Sequence, residues 1–311
     1  MGSELNFVFC FDDNYLIQSE TSIISLLDCV SEPVNIYILK KSSNKKLEMT
    51  EKVLKHKNLN YLEINNLNLT EYEFPNLTNV HVSEATYFRI FISEYIPNEI
   101  KFLTYLDADT VCLNDPIWDI RNTFSKLENS NYSIAARTEI ENSHKDNEVF
   151  KRLKIHGPYF NAGVLFINLE YWRINNFQEK LIDVMNEIRN EIVHWDQDVL
   201  NKFFNGSYLK ISSNMNFNSN KIDTNTDLSS IFFAHYIGSK KPWTILSKID
   251  KSYEIYQNNF RKISNQNMYH ITHTWKKKSL LLFIKLILNL NIFKLEYPIE
   301  FIKSFIKSLK R

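Results

Sequence analysis

Residues 102–116, FLTYLDADTVCLNDP, form an apolar run that stops at two aspartates. The run at 102–106 predicts a buried strand, directly followed by Asp107 and Asp109. Side chains two apart on an extended segment point to the same side, and open α/β sheets bind ligands beyond the carboxyl ends of their strands. Two carboxylates there indicate a divalent-cation site. The motif alone is weak, because Asp-x-Asp also arises by chance and recurs at 196–198.

The alternation of apolar and amphipathic stretches predicts the fold class. We expect strands at 5–11, 35–39, 59–64, 102–106, 131–136, 160–169 and 231–236. We expect helices at 16–30, 44–57, 83–95, 178–190 and 197–204, and a loop over the charged segment 138–156. Strand–helix alternation predicts an α/β fold, with a mostly parallel sheet covered by helices on both faces. Continuously apolar strands agree with this prediction.

Composition excludes several function classes. The 311 residues are 44% hydrophobic and carry a formal net charge of +1, so overall charge indicates no nucleic-acid partner. The five glycines form neither GxGxxG nor a P-loop, which argues against classical dinucleotide or P-loop chemistry. Three scattered cysteines fit a reducing compartment. The N-terminus lacks a basic region followed by a long apolar one, so no secretory signal is predicted.

The C-terminal residues 276–311 differ from the rest of the chain. They contain nine Lys or Arg and two Glu, so the total of +1 hides an acidic body and a basic tail. The segment 279–293 is strongly apolar but too short and interrupted to predict a membrane span. The segment 299–311 places four apolar side chains on one helix face: Ile302, Phe305, Ile306 and Leu309. We predict a catalytic domain over 1–275 and a basic amphipathic tail that lies in an anionic membrane interface; the alternative is a helix packed on the body.

A second segment, FAHYIGSKKPW at 233–243, gives the aspartates a context. His235 ends an apolar run, and Gly238 and Lys241 follow it at +3 and +6. A lone histidine is more often structural, but this spacing indicates a metal ligand, a phosphate-facing amide and a phosphate-facing ammonium. Mixed carboxylate and imidazole ligands favour Mn²⁺, with Mg²⁺ as the alternative.

Six segments together carry a resemblance to a known family. They are FCFDDNY (9–15), TYFRI (86–90), YLDADTVCLNDP (105–116), YFNAGVLFINLEYW (159–172), WDQDVLN (195–201) and HYIGSKKPW (235–243). The chain resembles glycosyltransferase family 8, most of all the bacterial galactosyltransferases that extend lipooligosaccharide from UDP-sugars. The resemblance implies a GT-A fold, in which a Rossmann-like nucleotide-binding region merges with an acceptor region. It also implies a UDP-hexose donor, an oligosaccharide or glycolipid acceptor, and retention of anomeric configuration.

The resemblance also assigns site residues. It places Mn²⁺ on Asp107, Asp109 and His235. The donor residues are Cys10, Asp12 and Asn14 at the uridine, Arg89 and Ala108 elsewhere on the donor, Gly238 and Lys241 at the pyrophosphate, and Asn161, Asp196 and Gln197 at the sugar. Some of these have structural alternatives: Asp12 and Asp196 could cap helices, and Asn161 could sit in a turn.

The resemblance leaves two chemical questions open. Gln197 corresponds to the position below the anomeric carbon, and an amide is a poor nucleophile, so we expect front-face attack by the acceptor. Asp196 is the alternative nucleophile for a double displacement. The family usually has an aspartate just after the strand at 132–136, where this chain offers Thr138 or Glu139. The donor sugar therefore stays open between galactose and glucose.

Other functions compete with this prediction. A protein-directed or self-glycosylating transferase would share the chemistry but not the need for a basic tail. A nucleotidyltransferase would need a Gly-rich, basic loop after the first strand, and Asp12 begins DDNY instead. A non-catalytic membrane scaffold would not need the metal ligands. We expect an enzyme of the bacterial cytoplasm, attached to the inner face of the cytoplasmic membrane.

Overall fold

The computed structural model describes residues 4–41, 47–75, 84–141, 147–244, 250–270 and 276–310. The strands in this part of the chain are β1 Asn6–Cys10, β2 Val34–Lys41, β3 Leu59–Leu67, β4 Phe102–Leu106, β5 Thr110–Cys112, β6 Ile134–Ile140, β7 Tyr159–Asn168, β8 Leu209–Lys210, β9 Phe217–Asn218 and β10 Phe233–His235. Its α-helices are α1 Leu16–Cys29, α2 Glu51–Leu54, α3 Ile92–Tyr95, α4 Ile117–Glu128, α5 Glu148–Leu153, α6 Leu169–Ile174, α7 Phe177–Glu187, α8 Trp195–Phe204, α9 Lys251–Ile263, α10 Lys276–Leu288 and α11 Pro298–Leu309.

The predicted α/β fold with a mostly parallel sheet is confirmed. Seven strands form the central sheet in the order β3-β2-β1-β4-β7-β6-β8. β7 runs antiparallel to both of its neighbours, and the other pairs are parallel. A second, three-stranded sheet has the order β5-β10-β9. It continues from the end of β4 and carries part of the site.

Apolar side chains pack on both faces of the central sheet, which explains the continuous apolar strands. In β1, Phe7 and Phe9 face one core with residues of α1, α4 and α9, while Val8 faces the other core with residues of α7 and α8. All five residues of β1 are buried. A strand covered on both faces has a nearly continuous run of apolar side chains, and Asn6 is the polar exception in β1.

Three predicted elements differ from the structure. The helix expected at 44–57 is confined to Glu51–Leu54; residues 47–50 are not helical, and 42–46 lie outside the described part. Glu20 accepts a hydrogen bond from the Thr50 backbone N–H and so holds the entry to α2. The helix expected at 83–95 is mostly a 3-10 helix, Glu84–Phe91, with α3 after it; residue 83 is not described.

The loop expected at 138–156 is also partly wrong. β6 continues to Ile140 because it pairs with β7 as far as Tyr159, and α5 occupies Glu148–Leu153. Residues 142–146 lie outside the described part. Thr138 and Glu139 therefore sit in a strand.

The tail packs one apolar face against the body. α10, a 3-10 helix at Asn291–Lys294 and α11 contribute Phe283, Ile292, Leu295, Phe301 and Phe305 to a cluster with Tyr253 and Met268. Phe305, predicted for a membrane face, is fully buried, so the alternative of packing on the body holds for part of that face. Among the described helices, none combines the length and apolarity that crossing a membrane requires. Residues 271–275 are not described, and the domain boundary at 275 stays a prediction.

Candidate active site

Two strand ends bring three potential metal ligands together. β4 ends just before Asp107, and His235 is the last residue of β10. β10 runs antiparallel to β5, so His235 lies opposite Thr110, the residue after Asp109. One ligand atom from each of Asp107, Asp109 and His235 lies within 4.8 Å of the other two. The three predicted metal ligands therefore lie close together, although more than a hundred residues separate His235 from the two aspartates in sequence.

One carboxylate oxygen of Asp107 accepts hydrogen bonds from protein side chains, and the other faces His235. Its Oδ1 accepts hydrogen bonds from the Tyr105 hydroxyl at 2.6 Å and from Arg89 at 2.8 Å. Its Oδ2 lies 3.6 Å from Nε2 of His235. The backbone N–H of Asp107 donates to the carbonyl of Gly163 at 2.8 Å, which anchors the strand end.

Asp109 divides its two oxygens in the same way. Its Oδ2 pairs with the ammonium of Lys241. Its Oδ1 lies 3.2 Å from Nε2 of His235 and has no hydrogen-bond partner among the described residues. Burial raises the pKa of Asp109, but Lys241 and His235 together hold it well below its usual range. Asp109 is therefore an anion, although it is largely buried.

The His235 ring is held on two sides. Its Nδ1 lies 3.0 Å from Oδ1 of Asn216, and its edge lies over Gly163. A Cβ atom at position 163 would come within 2.0 Å of Cε1 and 2.6 Å of Nδ1 of His235. Glycine is therefore required at 163 to make room for the ring.

The atoms left over suit a divalent cation. One oxygen of Asp107, one oxygen of Asp109 and Nε2 of His235 face one another, and the unpartnered Oδ1 of Asp109 is the buried acceptor that a cation would satisfy. Two carboxylates and one imidazole form a mixed oxygen–nitrogen set of the kind that Mn²⁺ accepts. These residues fit the predicted metal.

The cluster opens into a cavity of about 500 Å³ beyond the carboxyl ends of β1 and β4. Of the predicted site residues, those lining it are Cys10, Asp12, Arg89, Asp107, Ala108, Asp109, Asn161, Asp196, Gln197, His235, Gly238 and Lys241. Asn14 is the exception, because it is exposed and does not line the cavity.

The end of β1 forms one wall of the cavity. Cys10 is the last residue of β1, and burial raises the pKa of its thiol well above the usual value, so it stays protonated. Asp12 accepts a hydrogen bond from the backbone N–H of Asn14 at 2.9 Å and caps the 3-10 helix Asp13–Tyr15. The helix-cap alternative for Asp12 is confirmed, although the residue also lines the cavity.

Arg89 links the metal cluster to the far wall. Its guanidinium donates to Asp107, pairs with Asp196 at 2.7 Å and lies 4.1 Å above the Tyr105 ring. Burial lowers the pKa of Arg89, but Asp196, Tyr105 and Asp107 outweigh it and raise the pKa above its usual value. These partners use much of the guanidinium to hold two carboxylates in place. Contact with the donor stays a prediction.

Gln197 and its neighbours form the third wall. The backbone N–H of Ala162 donates to Oε1 of Gln197 at 3.0 Å, which turns Nε2 towards Glu139 and the Tyr159 hydroxyl. Asn161 Nδ2 lies 3.3 Å from both Glu139 and Gln197. Asn161 is inside β7, so the turn alternative for it is wrong.

Asp196 lies beside Gln197 but faces a different partner. α8 begins at Trp195 and His194 is its N-cap residue, so the cap alternative for Asp196 is wrong. Burial raises the pKa of Asp196 to about 7, against the effect of Arg89. Trp195 has φ +52°, a left-handed conformation that is costly for a bulky residue. Such backbone strain is common next to functional side chains.

Gly238 and Lys241 lie beside the metal ligands. Gly238 has φ +81°, which favours glycine, and a Cβ built there would meet no atom of the described residues within 4 Å. Lys241 donates to the carbonyl of Tyr236 at 2.6 Å as well as to Asp109. Both residues stand on the cavity wall, open to a ligand.

Sequence reasoning missed three contributors: Tyr105, Gly163 and Asn216. Of the predicted pair Thr138 and Glu139, Glu139 lines the cavity. Thr138 instead bonds the Tyr208 hydroxyl at 2.6 Å and does not line the cavity. The sequence has only five glycines, so the presence of a glycine at 163 was the one available sign that this position needs the space or backbone freedom of that residue. Asn216 gave no signal in an asparagine-rich segment.

Known proteins share this sequence pattern. A model of glycosyl transferase family 8 matches residues 6–247. General stress protein A of Bacillus subtilis is 29% identical over 270 residues, which cover 78% of this chain and 89% of that protein. The lipopolysaccharide 1,3-galactosyltransferase of Salmonella typhimurium is 32% identical over 167 residues, covering 51% of this chain and 49% of that protein.

A solved structure shares the fold. The crystal structure of the galactosyltransferase LgtC in complex with donor and acceptor sugar analogs superposes with a TM-score of 0.68 at 20% identity, covering 88% of this chain and 100% of that one. The GT-A-like fold expected from the resemblance is confirmed. Because the family match spans well over half of its length, the chain belongs to glycosyl transferase family 8.

Proposed function

We propose that the protein is a retaining, Mn²⁺-dependent transferase that moves galactose or glucose from a UDP-sugar to a lipooligosaccharide- or lipopolysaccharide-type acceptor. The carrying observation is that Asp107, Asp109 and His235 each leave one ligand atom directed at a common point on the wall of a 500 Å³ cavity. The names of relatives support the substrate class: a lipopolysaccharide 1,3-galactosyltransferase and a lipopolysaccharide 1,2-glucosyltransferase.

The residues around the metal ligands suit departure of a nucleoside diphosphate. A divalent cation bound there would supply Lewis-acid neutralisation of the leaving diphosphate. Lys241 stands next to Asp109 and can add a fixed positive charge at the same end of the cavity. Gly238 exposes its backbone there without a side chain, so a phosphate oxygen can approach closely.

Another part of the cavity lining, next to the metal ligands, is amide-rich and suits a sugar. Asn161, Gln197 and Glu139 form a connected set of hydrogen-bonding groups, which can exchange partners with sugar hydroxyls. Glu139 stands in for the aspartate that the family pattern has near this point. We infer that Glu139 contacts the donor sugar and helps decide between galactose and glucose.

A donor panel tests this function. UDP-Gal, UDP-Glc and UDP-GlcNAc are each incubated with the protein and Mn²⁺, with and without a lipooligosaccharide acceptor, and UDP release is measured. We expect release from UDP-Gal or UDP-Glc that disappears when EDTA removes the metal. Absence of release from every donor, together with no Mn²⁺-dependent UDP binding by calorimetry, would refute the proposed enzyme and favour a scaffold.

We predict that Gln197→Ala lowers turnover by roughly 10²-fold, the scale of losing one positioned hydrogen-bond group, and leaves measurable transfer. The reason is that the Gln197 amide, fixed by Ala162 and Tyr159, orients the sugar but is too weak a nucleophile to form a covalent intermediate. Turnover is measured as UDP release with acceptor present. A glycosyl adduct on Asp196, detected by mass spectrometry, would contradict front-face attack.

We also propose that the tail attaches the enzyme to the inner face of the cytoplasmic membrane. One tail face is buried on the body, and the other exposes large apolar side chains: Leu280, Leu281, Ile284, Ile287, Leu288, Leu290, Phe293, Ile299 and Ile306. Exposed lysines at 277, 285, 294, 303, 307 and 310 accompany them. An apolar face edged with lysines suits an anionic interface. This arrangement revises the predicted membrane face, because Phe305 belongs to the buried side.

Replacing Leu281, Leu288 and Phe293 together with glutamine should weaken binding to anionic vesicles by about 100-fold, taking about 1 kcal/mol per exposed side chain. These residues are 67%, 75% and 71% exposed, so the fold does not depend on their burial. Binding is measured by vesicle sedimentation. The control replaces Trp118 and Ile174, which are 72% and 77% exposed but lie outside the tail. Equal vesicle binding by both variants would contradict the membrane role.

A further inference from the structure

Asn216 is a fully buried amide behind the ring of His235, on the side away from the carboxylates. It ends the 3-10 helix Ser213–Asn216, directly before β9. Its Oδ1 lies 3.0 Å from Nδ1 of His235, and its Nδ2 lies 2.8 Å from Oδ1 of Asn161. Asn216 therefore touches both a metal ligand and a residue of the sugar end.

The surrounding hydrogen bonds determine which way the Asn216 amide points. The backbone N–H of Gly163 is necessarily a donor, and it lies 3.1 Å from Oδ1 of Asn161, so that atom is an acceptor. Asn216 must then present its NH₂ group to Asn161. The Asn216 oxygen is left facing the ring of His235.

An oxygen facing Nδ1 determines where the ring carries its hydrogen. A carbonyl oxygen only accepts, so Nδ1 of His235 must carry a hydrogen whether the ring is neutral or cationic. The neutral ring then has its lone pair on Nε2. That nitrogen lies 3.2 Å from Asp109 and 3.6 Å from Asp107, at the common point of the predicted metal site.

Without the Asn216 oxygen, a second arrangement becomes available. The ring could carry its hydrogen on Nε2 and donate it to the unpartnered oxygen of Asp109, which is close enough. In that arrangement Nε2 of His235 and Oδ1 of Asp109 would hydrogen-bond to each other, and neither atom would be available to a metal. Buried amide oxygens and carboxylates that accept from a metal-binding histidine commonly prevent this outcome.

We propose that Asn216 is a positioning residue, which fixes the tautomer and ring plane of His235 so that Nε2 is available to a divalent cation. The inference rests on the proposed function, because it presupposes the metal site. It assigns no direct contact between Asn216 and the substrate. The effect of the Asn216 amide on metal binding runs through His235, and its NH₂ group donates to Asn161.

A spectroscopic experiment on the unaltered protein tests the tautomer. Long-range proton–nitrogen NMR of the metal-free protein reports which ring nitrogens carry hydrogen, and His235→Gln identifies the His235 signals by their loss. We expect Nδ1 of His235 to carry a hydrogen. An unprotonated Nδ1 would overturn the inference without any variant of Asn216.

A metal titration tests the consequence. Asn216→Ala should raise the Kd for Mn²⁺, measured by electron paramagnetic resonance at saturating UDP, by about 10–100-fold. Asn216→Asp keeps an acceptor for the Nδ1 hydrogen but loses the donor to Asn161, so it should recover part of the affinity. Asn214→Ala is the matched control, because Asn214 belongs to the same 3-10 helix as Asn216 and is half-buried.

The outcomes separate this inference from the function on which it rests. Wild-type Mn²⁺ affinity in Asn216→Ala, or equal weakening in Asn216→Ala and Asn216→Asp, would overturn the positioning role while leaving the metal site intact. If the unaltered protein bound no Mn²⁺ with UDP present, the proposed function would fail and this inference with it. Loss of folding in Asn216→Ala leaves the NMR result and the Asn216→Asp titration as decisive tests.

Discussion

Asp109→Asn is expected to abolish Mn²⁺-dependent UDP binding and to lower sugar transfer by at least about 10³-fold, since metal stabilisation of a leaving group is worth several kcal/mol. Asp109 is the ligand with an unpartnered buried oxygen, and its other oxygen pairs with Lys241. An amide in its place brings an NH₂ group and no charge. The site then has a weaker ligand, and Lys241 loses its ion-pair partner.

Calorimetric titration of UDP with and without Mn²⁺ measures the first effect, and UDP release measures the second. Asp115→Asn is the control, because Asp115 belongs to the same segment but is exposed and accepts a 3.1 Å hydrogen bond from the Ile117 N–H at the start of α4. It should bind and turn over as the unaltered protein does. Mn²⁺-dependent UDP binding by Asp109→Asn at near-normal strength would show that the metal ligands are misassigned.

The ligands themselves could be predicted because each follows an apolar strand. Asp107 and Asp109 come after a buried run, and His235 ends another, so the strand pattern made each of them a candidate ligand at a strand end. Their convergence within 4.8 Å depends on the pairing of β10 with β5 across more than a hundred residues, and the family resemblance rather than the strand pattern predicted it. The Asp-x-Asp spacing alone does not identify a metal ligand, because Asp198 has the same spacing to Asp196 and is not part of the metal cluster. Asp198 instead accepts from Arg152, Tyr159 and two backbone N–H groups, and is fully buried.

The supporting residues could not be predicted, because their roles depend on neighbours far away in sequence. Asn216 meets Asn161 across 55 residues, and Arg89 meets Asp196 across more than a hundred. Arg89 also shows why the segment predicted to be helical at 83–95 is a 3-10 helix over most of its length. Its side chain donates to the Thr86 carbonyl and turns inward to two carboxylates, and most of the segment is buried as a 3-10 helix. A periodic pattern cannot reveal such a tertiary demand.

The role of Gly163 also depends on neighbours far away in sequence, and we expect its replacement to have a large effect on metal binding. Gly163→Ala should lower the affinity for Mn²⁺ in the presence of UDP by about 100-fold or more, the upper range for displacing the support of a metal ligand. The added Cβ would lie 2.0 Å from Cε1 of His235 and 2.8 Å from Oδ2 of Asp107. Neither neighbour is free to move, because Asn216 holds the ring and Gly163 itself accepts from the Asp107 N–H at 2.8 Å.

Overpacking of this kind should also lower the free energy of unfolding, by about 1–3 kcal/mol, so stability and binding must be measured on the same samples. Gly206→Ala provides the comparison. Its Cβ would meet Gly157 Cα at 2.6 Å, and its φ of +84° adds strain, but it does not line the cavity. We expect both variants to lose stability in thermal unfolding and Gly163→Ala alone to lose metal affinity. Equal Mn²⁺ affinity in the two variants would mean that the His235 ring can reach the metal from another position.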